Sequence, residues 1–105
     1  MKVYIEAGAN DGVFQSRSLE LSKDSDYFGI LVEPDPDEYA KCVKSRSTNT
    51  RIYNNCLVSS NYKESSITFY RHKNQSCVNG FLKSPVEPCT SQMLIPTRTL
   101  QSILD

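Results

Sequence analysis

The pattern of hydrophobic and polar positions changes its period several times along this chain, and each change marks a predicted element. Short apolar runs rich in β-branched residues predict strands, and apolar positions three and four apart predict helices. In the first half, strands and helices alternate, which is typical of a parallel sheet with flanking helices. The predicted elements there are a strand at Val3–Ala7, a helix at Phe14–Lys23, a strand at Tyr27–Glu33, a helix beginning at Asp35–Pro36 and a strand at Arg51–Ser59.

Three of these elements carry more specific expectations. The run Tyr27–Glu33 is almost entirely apolar until its last residue, as in parallel strands covered on both faces, and we expect Val3–Ala7 to be buried as well. Asp35 is expected to cap the following helix, with Pro36 at its first position and Glu38 at the spacing of a capping box.

The pattern becomes less regular in the second half. Ser66–Tyr70 alternates in the manner of an antiparallel or edge strand. Lys73–Ser84 is polar and is followed by two prolines, which predicts loops. Leu94–Thr97 predicts one more strand, and Leu100–Asp105 predicts the start of a helix.

Length and charge exclude several classes of protein. The chain has 105 residues, so we expect a single domain over 1–105. Twelve Lys and Arg balance twelve Asp and Glu, which gives no electrostatic footprint for nucleic acid or an anionic membrane. No apolar run approaches the roughly 18 residues of a membrane span. Because Met1–Lys2 leads straight into the first strand without a signal-peptide pattern, we expect a cytoplasmic setting, with neither nucleic acid nor membrane as a partner.

The cysteines do not form a metal-binding pattern. None of them belongs to a C-x-x-C pair, and the chain has one histidine. We therefore expect structural or incidental thiols and no metal site, with a zinc site or a disulfide framework as the less favoured alternative. The four are Cys42, Cys56, Cys77 and Cys89.

Candidate chemistry is concentrated where the first strand ends. Gly8 follows that strand, and Asn10-Asp11-Gly12 is a turn signal. Glycine lets a backbone approach a ligand closely, and a helix starting near Val13 would present unpaired N–H groups. A strand, a glycine turn, a helix and a second strand ending in an acid form the arrangement by which doubly wound folds hold adenosine-containing ligands. Glu33 lies 21 positions after Gly12, close to the offset of about 20 for an acid that accepts ribose hydroxyls.

Two ligand classes are compatible with this turn. The nicotinamide dinucleotide fingerprint requires G-x-G-x-x-G, and counting from Gly8 the next two glycine positions hold Asn10 and Val13. A carboxylate at Glu6 would repel a pyrophosphate but would suit an ammonium group. An NAD-type oxidoreductase is therefore the less favoured alternative. The pattern E-x-G-x-x-x-G, filled by Glu6, Gly8 and Gly12, looks like the first motif of S-adenosylmethionine-dependent methyltransferases.

A longer series of segments indicates a particular family within the methyltransferases. YIEAGANDGVFQS, LEL, FGILVEPDPDEYAKC, NNCLVSS and IPTRTLQSILD follow one another in the order and approximate spacing of the FkbM methyltransferases, and the chain resembles that family. The resemblance covers most of the chain from Tyr4 onward and is weakest between Lys63 and Met93. Arg17 stands where the family usually has a small polar residue.

The resemblance implies an α/β, Rossmann-like class I methyltransferase fold, with a parallel sheet and flanking helices. This chain would be its N-terminal, cofactor-binding half and would end before the sheet is complete. The cofactor would be S-adenosylmethionine, and the reaction O-methylation of a sugar or another small metabolite, with a small-molecule or glycan acceptor. A non-catalytic or truncated remnant that keeps the turn but methylates nothing is the first alternative.

The same resemblance implies roles for individual residues. One group would shape the methionine side of the pocket: Glu6, Gly8, Asn10 and Gly12. Glu33 would hold the ribose, while Asp11 and Ser16 are looser candidates. The sequence identifies no catalytic base.

Overall fold

The fold is described from a computed structural model, which covers residues 1–13, 16, 18–46, 49–72 and 89–105. These residues divide into two compact units, Met1–Leu57 and Val58–Asp105. The described strands form two three-stranded sheets. The predicted loop at Lys73–Ser84 lies outside the described residues.

The first unit contains a parallel sheet of three strands in the order β1-β2-β3. Its strands are β1 (Lys2–Ala7), β2 (Tyr27–Val32) and β3 (Thr50–Tyr53), with helix α1 (Pro36–Ser45) between β2 and β3. In the register, Tyr4 pairs with Gly29 and Leu31 pairs with Ile52. The predicted parallel sheet with a flanking helix is confirmed. Apolar parallel strands of this kind need a helix to cover them.

Helix α1 begins as predicted, with one difference in its cap. Oδ1 of Asp35 accepts the N–H of Asp37 at 3.0 Å, and Pro36 occupies the first turn, where its missing N–H costs nothing. The N–H of Asp35 donates to Oε2 of Glu33 at 2.8 Å. In a capping box the side chain of Glu38 would accept the N–H of Asp35, whereas here Glu33 accepts it.

The helix predicted for Phe14–Lys23 is wrong where the structure describes the segment. Phe14, Gln15 and Arg17 lie outside the described residues, 18–20 form a turn, and only Leu21–Lys23 is helical, as a short 3₁₀ helix. Serine side chains compete with the helical backbone for hydrogen bonds. Here the Ser22 hydroxyl donates to the carbonyl of Leu19 at 2.5 Å, and the buried Ser18 hydroxyl makes bonds elsewhere in the unit.

The core of this unit lies on one face of its sheet. Buried Tyr4, Ala9, Leu31 and Cys42 form the cluster, and Leu21, Tyr27 and Ile52 pack against it. Alternate residues of a strand point to opposite faces, so Val3 and Ile5 lie on the other face of β1. They remain 57% and 41% exposed, and the expectation of a buried first strand is therefore wrong for that face. The reason is that α1 and the 3₁₀ turn both contribute to the Tyr4 face.

The predicted strand Arg51–Ser59 is divided into two. β3 ends at Tyr53, and β4 (Cys56–Val58) follows after the two asparagines. The side-chain amide of Asn54 donates to the carbonyls of Glu33 and Pro34, at 3.0 and 2.9 Å. The strand stops here because this side chain binds the backbone that follows β2.

The second sheet has the order β4-β6-β5, in which β5 (Ser66–His72) and β6 (Cys89–Thr99) pair antiparallel. Its described strands bury three apolar side chains, which are Cys56, Phe69 and Ile95. The predicted antiparallel strand at Ser66–Tyr70 is confirmed as part of β5, and the predicted strand at Leu94–Thr97 is confirmed as part of β6. The helix start predicted at Leu100–Asp105 is confirmed as α2 (Leu100–Leu104). None of the helices in the described part of the chain is long and apolar enough to cross a bilayer.

Candidate functional site

The backbone that leaves β1 takes three left-handed steps. Gly8, Asn10 and Gly12 have φ values of +72°, +59° and +84°. The N–H of Gly8 donates to the carbonyl of Val32 at 2.8 Å, and the N–H of Gly12 donates to the carbonyl of Ala9 at 3.0 Å. The loop therefore turns tightly at the carboxyl ends of β1 and β2, where open α/β sheets bind ligands.

The two glycines of this loop have different surroundings. A β-carbon at Gly8 would have no neighbour within 4 Å among the residues that the structure describes. A β-carbon at Gly12 would lie 2.7 Å from Oγ of Ser45 and 3.0 Å from both Cγ of Arg46 and Sγ of Cys42. Gly12 is thus required for packing against α1, whereas Gly8 leaves room that a ligand can fill.

Glu33 ties this loop to the start of α1. Its Oε1 accepts the N–H of Asn10 at 2.6 Å, its Oε2 accepts the N–H of Asp35, and only 5% of the residue is exposed. Burial raises the pKa of the Glu33 carboxyl, and the two backbone N–H groups oppose that rise. Each carboxylate oxygen can accept more than one hydrogen bond, so acceptor capacity remains for a ligand hydroxyl.

Among the described residues, the hydrogen-bond donors to Glu6 all bind one of its carboxylate oxygens. The hydroxyls of Ser16 and Ser18 both donate to its Oε1, the former at 3.0 Å. Oε2 accepts no hydrogen bond from any residue that the structure describes, and the side chain is half-buried. The structure therefore brings the predicted residues Glu6 and Ser16 together, and Oε2 of Glu6 has no donor among the described residues.

Glu6 and Glu33 project from the same side of the sheet. The register pairs Glu6 with Leu31, and Glu33, two residues further, has the same parity. Both carboxylates affect the pKa of the Cys42 thiol. Burial is the main cause that raises its pKa to about 11; the cation of Arg46 opposes this, and the carboxylates of Glu33 and Glu6 add to it.

Arg46 is a site residue that the sequence analysis missed. It follows the last residue of α1 and is 8% exposed. Its Nη1 donates to the carbonyl of Gly12 at 3.1 Å and to Oγ of Ser16 at 3.2 Å. Its Nη2 donates to the hydroxyl of Tyr4 at 2.9 Å and to Oγ of Ser18 at 3.0 Å.

No motif distinguishes Arg46 from the other basic residues of the chain, because a basic residue at the end of a helix is common on protein surfaces. Its Nε is buried without a hydrogen-bond partner among the described residues. The guanidinium is therefore oriented by its two terminal nitrogens, whose acceptors come from distant parts of the sequence.

Asp11 stabilises the turn through its side chain and its backbone. Its Oδ1 accepts the N–H of Val13 at 2.9 Å, and its carbonyl accepts the hydroxyl of Ser45 at 2.6 Å. Val13 and Ser16 are not helical, so the helix start predicted near Val13 is wrong where the structure describes the segment. Asp11 therefore has a structural contact in this loop, and phosphate binding by a helix start loses its support.

Comparison of the chain with protein-family models, with curated proteins and with solved structures finds no match. Over the described residues, no group of three or more His, Cys, Asp or Glu is arranged to hold a metal ion. The chemistry of the site is thus inferred from Glu6, Gly8, Glu33 and their neighbours.

Proposed function

We propose that this chain is the cofactor-binding part of an S-adenosylmethionine-dependent methyltransferase that methylates an oxygen of a sugar or another small metabolite, and that its first unit binds the cofactor. One observation carries the proposal: Oε1 of Glu6 accepts two serine hydroxyls, whereas Oε2 accepts nothing from the described residues. An open carboxylate oxygen beside a glycine turn suits the ammonium group of a methionine moiety.

The fold supports this proposal in general terms. A parallel sheet in the consecutive order β1-β2-β3, with its covering elements on one face, has the arrangement of one half of a doubly wound sheet. Ligands of such sheets bind outside the carboxyl ends of the strands, and Glu6 and Glu33 are at those ends in β1 and after β2. On this basis we propose a Rossmann-like class I methyltransferase fold.

The residues of the loop would divide the cofactor between them. Oε2 of Glu6 would bind the ammonium group, and the open space at Gly8 would admit the ligand close to the backbone. Glu33 would accept a ribose hydroxyl, while Asn10 and Gly12 hold the turn in shape. When bound, S-adenosylmethionine would supply a methyl group on a positively charged sulfur for transfer to an acceptor hydroxyl oxygen; the hydroxyl would lose its proton, and the sulfur would leave as the uncharged thioether of S-adenosylhomocysteine.

The geometry is less suited to a nicotinamide dinucleotide. Its pyrophosphate needs unpaired N–H groups at a helix start, whereas the N–H of Val13 is bound by Asp11 and the described residues after it form a turn. The carboxylate of Glu6 would also repel a pyrophosphate.

Calorimetric titration of the 105-residue chain tests the cofactor assignment. We expect S-adenosylhomocysteine to bind and NAD to give no heat. Glu6→Gln should weaken S-adenosylhomocysteine by about 10- to 100-fold, as expected for one lost charge-assisted hydrogen bond. Glu20→Gln is the matched control, since the side chain of Glu20 is 84% exposed, and it should bind like the wild type. Binding of NAD alone would reverse the assignment.

A transfer assay separates the enzyme from a non-catalytic cofactor-binding protein. The chain is incubated with S-adenosylmethionine labelled in its methyl group and with a panel of sugars and small hydroxylated metabolites. Label in an acceptor supports the methyltransferase. Binding of S-adenosylhomocysteine without label in any acceptor supports the non-catalytic alternative.

A further inference from the structure

Arg46 is a buried cation that reaches Glu6 through two serine hydroxyls. We propose that Arg46 is a positioning residue, which holds the Glu6 carboxylate so that one oxygen faces the ammonium group of the bound cofactor. This inference rests on the proposed function and adds to it a residue from the far end of α1. It requires that the hydrogen bonds linking Arg46 to Glu6 through Ser16 and Ser18 run in a fixed direction and reach only one of the two carboxylate oxygens.

The direction of these bonds follows from the groups at the two ends. A guanidinium has donors and no acceptor, and an ionised carboxylate has acceptors and no donor. The hydroxyl of Ser16 accepts from Nη1 of Arg46 at 3.2 Å and donates to Oε1 of Glu6 at 3.0 Å. The hydroxyl of Ser18 accepts from Nη2 and donates to the same oxygen. Both serine protons are therefore directed at Oε1, which leaves Oε2 for a ligand.

The shape of the guanidinium is needed for this arrangement. Its two terminal nitrogens serve one serine each, and they are held in place by the carbonyl of Gly12 and the hydroxyl of Tyr4. A lysine keeps the positive charge but has a single nitrogen, which cannot replace both arms of the planar fork. Arg46→Lys therefore separates the geometry of this group from its charge.

The test compares two probes that differ only in the ammonium group: S-adenosylhomocysteine and its desamino analogue, S-(5′-adenosyl)-4-thiobutyrate. The wild type should prefer S-adenosylhomocysteine. Arg46→Lys and the double variant Ser16→Ala/Ser18→Ala should each reduce that preference by about tenfold, with the affinity for the desamino analogue changed by less than about twofold. A variant that only damaged the fold would weaken both probes alike.

Ser45→Ala is the matched control. The Ser45 hydroxyl holds the same loop through the carbonyl of Asp11 at 2.6 Å, so its loss should leave the preference for the amine intact. If Arg46→Lys and the double serine variant keep the wild-type preference, the inference is overturned. If the wild type binds neither probe, the proposed function fails instead.

A measurement without ligand keeps these two failures apart. The ¹³C chemical shift of the Glu6 carboxyl carbon, recorded at neutral pH, should change in Arg46→Lys and in Ser16→Ala/Ser18→Ala and should be unchanged in Ser45→Ala. Equal movement in all three variants would show general loosening of the loop and would overturn the positioning role.

Discussion

The ring of Tyr4 lies directly over Gly29 in the neighbouring strand. The two residues pair in the β1-β2 register, and a β-carbon at Gly29 would come within 2.3 Å of Cζ and the hydroxyl oxygen of Tyr4. That hydroxyl also accepts the bond from Arg46. The absence of a side chain at Gly29 thus places the aromatic ring where the buried guanidinium needs an acceptor.

Gly29→Ala should therefore destabilise the protein. The added methyl group overlaps the Tyr4 ring, and we expect a loss of about 1–3 kcal/mol in the free energy of unfolding, measured by urea denaturation. In the Tyr4→Ala background the ring is gone, so Gly29→Ala should cost clearly less there. An equal cost of Gly29→Ala in both backgrounds would contradict this contact.

The two glycines of the loop should respond differently to alanine. At Gly8 and at Gly12 the left-handed backbone costs an L-residue roughly 1–2 kcal/mol. Gly12→Ala adds overlap with the end of α1, worth about another 1–3 kcal/mol, whereas Gly8→Ala meets no atom within 4 Å. Gly12→Ala should thus have the lower free energy of unfolding. Equal losses would argue against the packing of Gly12 on α1.

Glu33 should make stability depend on pH. Its pKa is raised in the folded protein from the ordinary 4.5, mainly by burial, so folding favours the protonated form. The stabilisation that this provides is complete below pH 4.5 and is lost as the pH rises through the folded pKa. The free energy of unfolding of the wild type, relative to Glu33→Gln, should therefore fall over that interval. The exposed Glu64→Gln should reproduce the wild-type curve, and a relative rise would show the opposite shift.

The same substitution should lower stability at neutral pH. Both oxygens of Glu33 accept backbone N–H groups, and an amide nitrogen in place of one oxygen would face a donor. We expect Glu33→Gln to cost about 1–3 kcal/mol in urea denaturation at pH 7. Unchanged stability would mean that the two backbone bonds do not hold the loop.

The thiols should differ in reactivity. Cys42 and Cys56 are 0% and 3% exposed, and burial raises the pKa of each to about 11. Cys89 is more exposed. Alkylation by iodoacetamide at pH 8, followed by peptide mass mapping, should modify Cys89 at least about tenfold faster, because the thiolate is the nucleophile. In denaturant the three rates should become similar; a fast Cys42 in the folded protein would contradict its burial.

Much of the first unit could be predicted because its signals are local. The apolar runs of β1 and β2 and the Asp35-Pro36 helix start lie in continuous stretches, and the structure has elements at each of them. The pairing of Glu33 with the loop also followed from chain order, since parallel strands bring their carboxyl ends to one edge. What that pairing consists of, a carboxylate held by the N–H groups of Asn10 and Asp35, was not predictable.

The missed features all depend on contacts between distant residues. The helix expected at Phe14–Lys23 has a helical apolar pattern, yet Ser18 bonds to Arg46, 28 positions away, and the described part of the segment turns instead. Local propensity is a weak prior beside such contacts. The same holds for β1, where one face is covered and Val3 and Ile5 on the other are exposed.

The amino-acid sequence by itself determined the first two strands of the first unit, the start of α1 and the position of a glycine turn between two acids, because period, capping and turn chemistry act over a few residues. Only the tertiary structure decided that Gly12 packs against α1 while Gly8 has no described neighbour within 4 Å, and that a buried Arg46 donates to the two serine hydroxyls that bind one oxygen of Glu6. Those outcomes depend on where α1 comes to rest against the β1 loop, and a contact of that kind leaves no periodic signal in the chain.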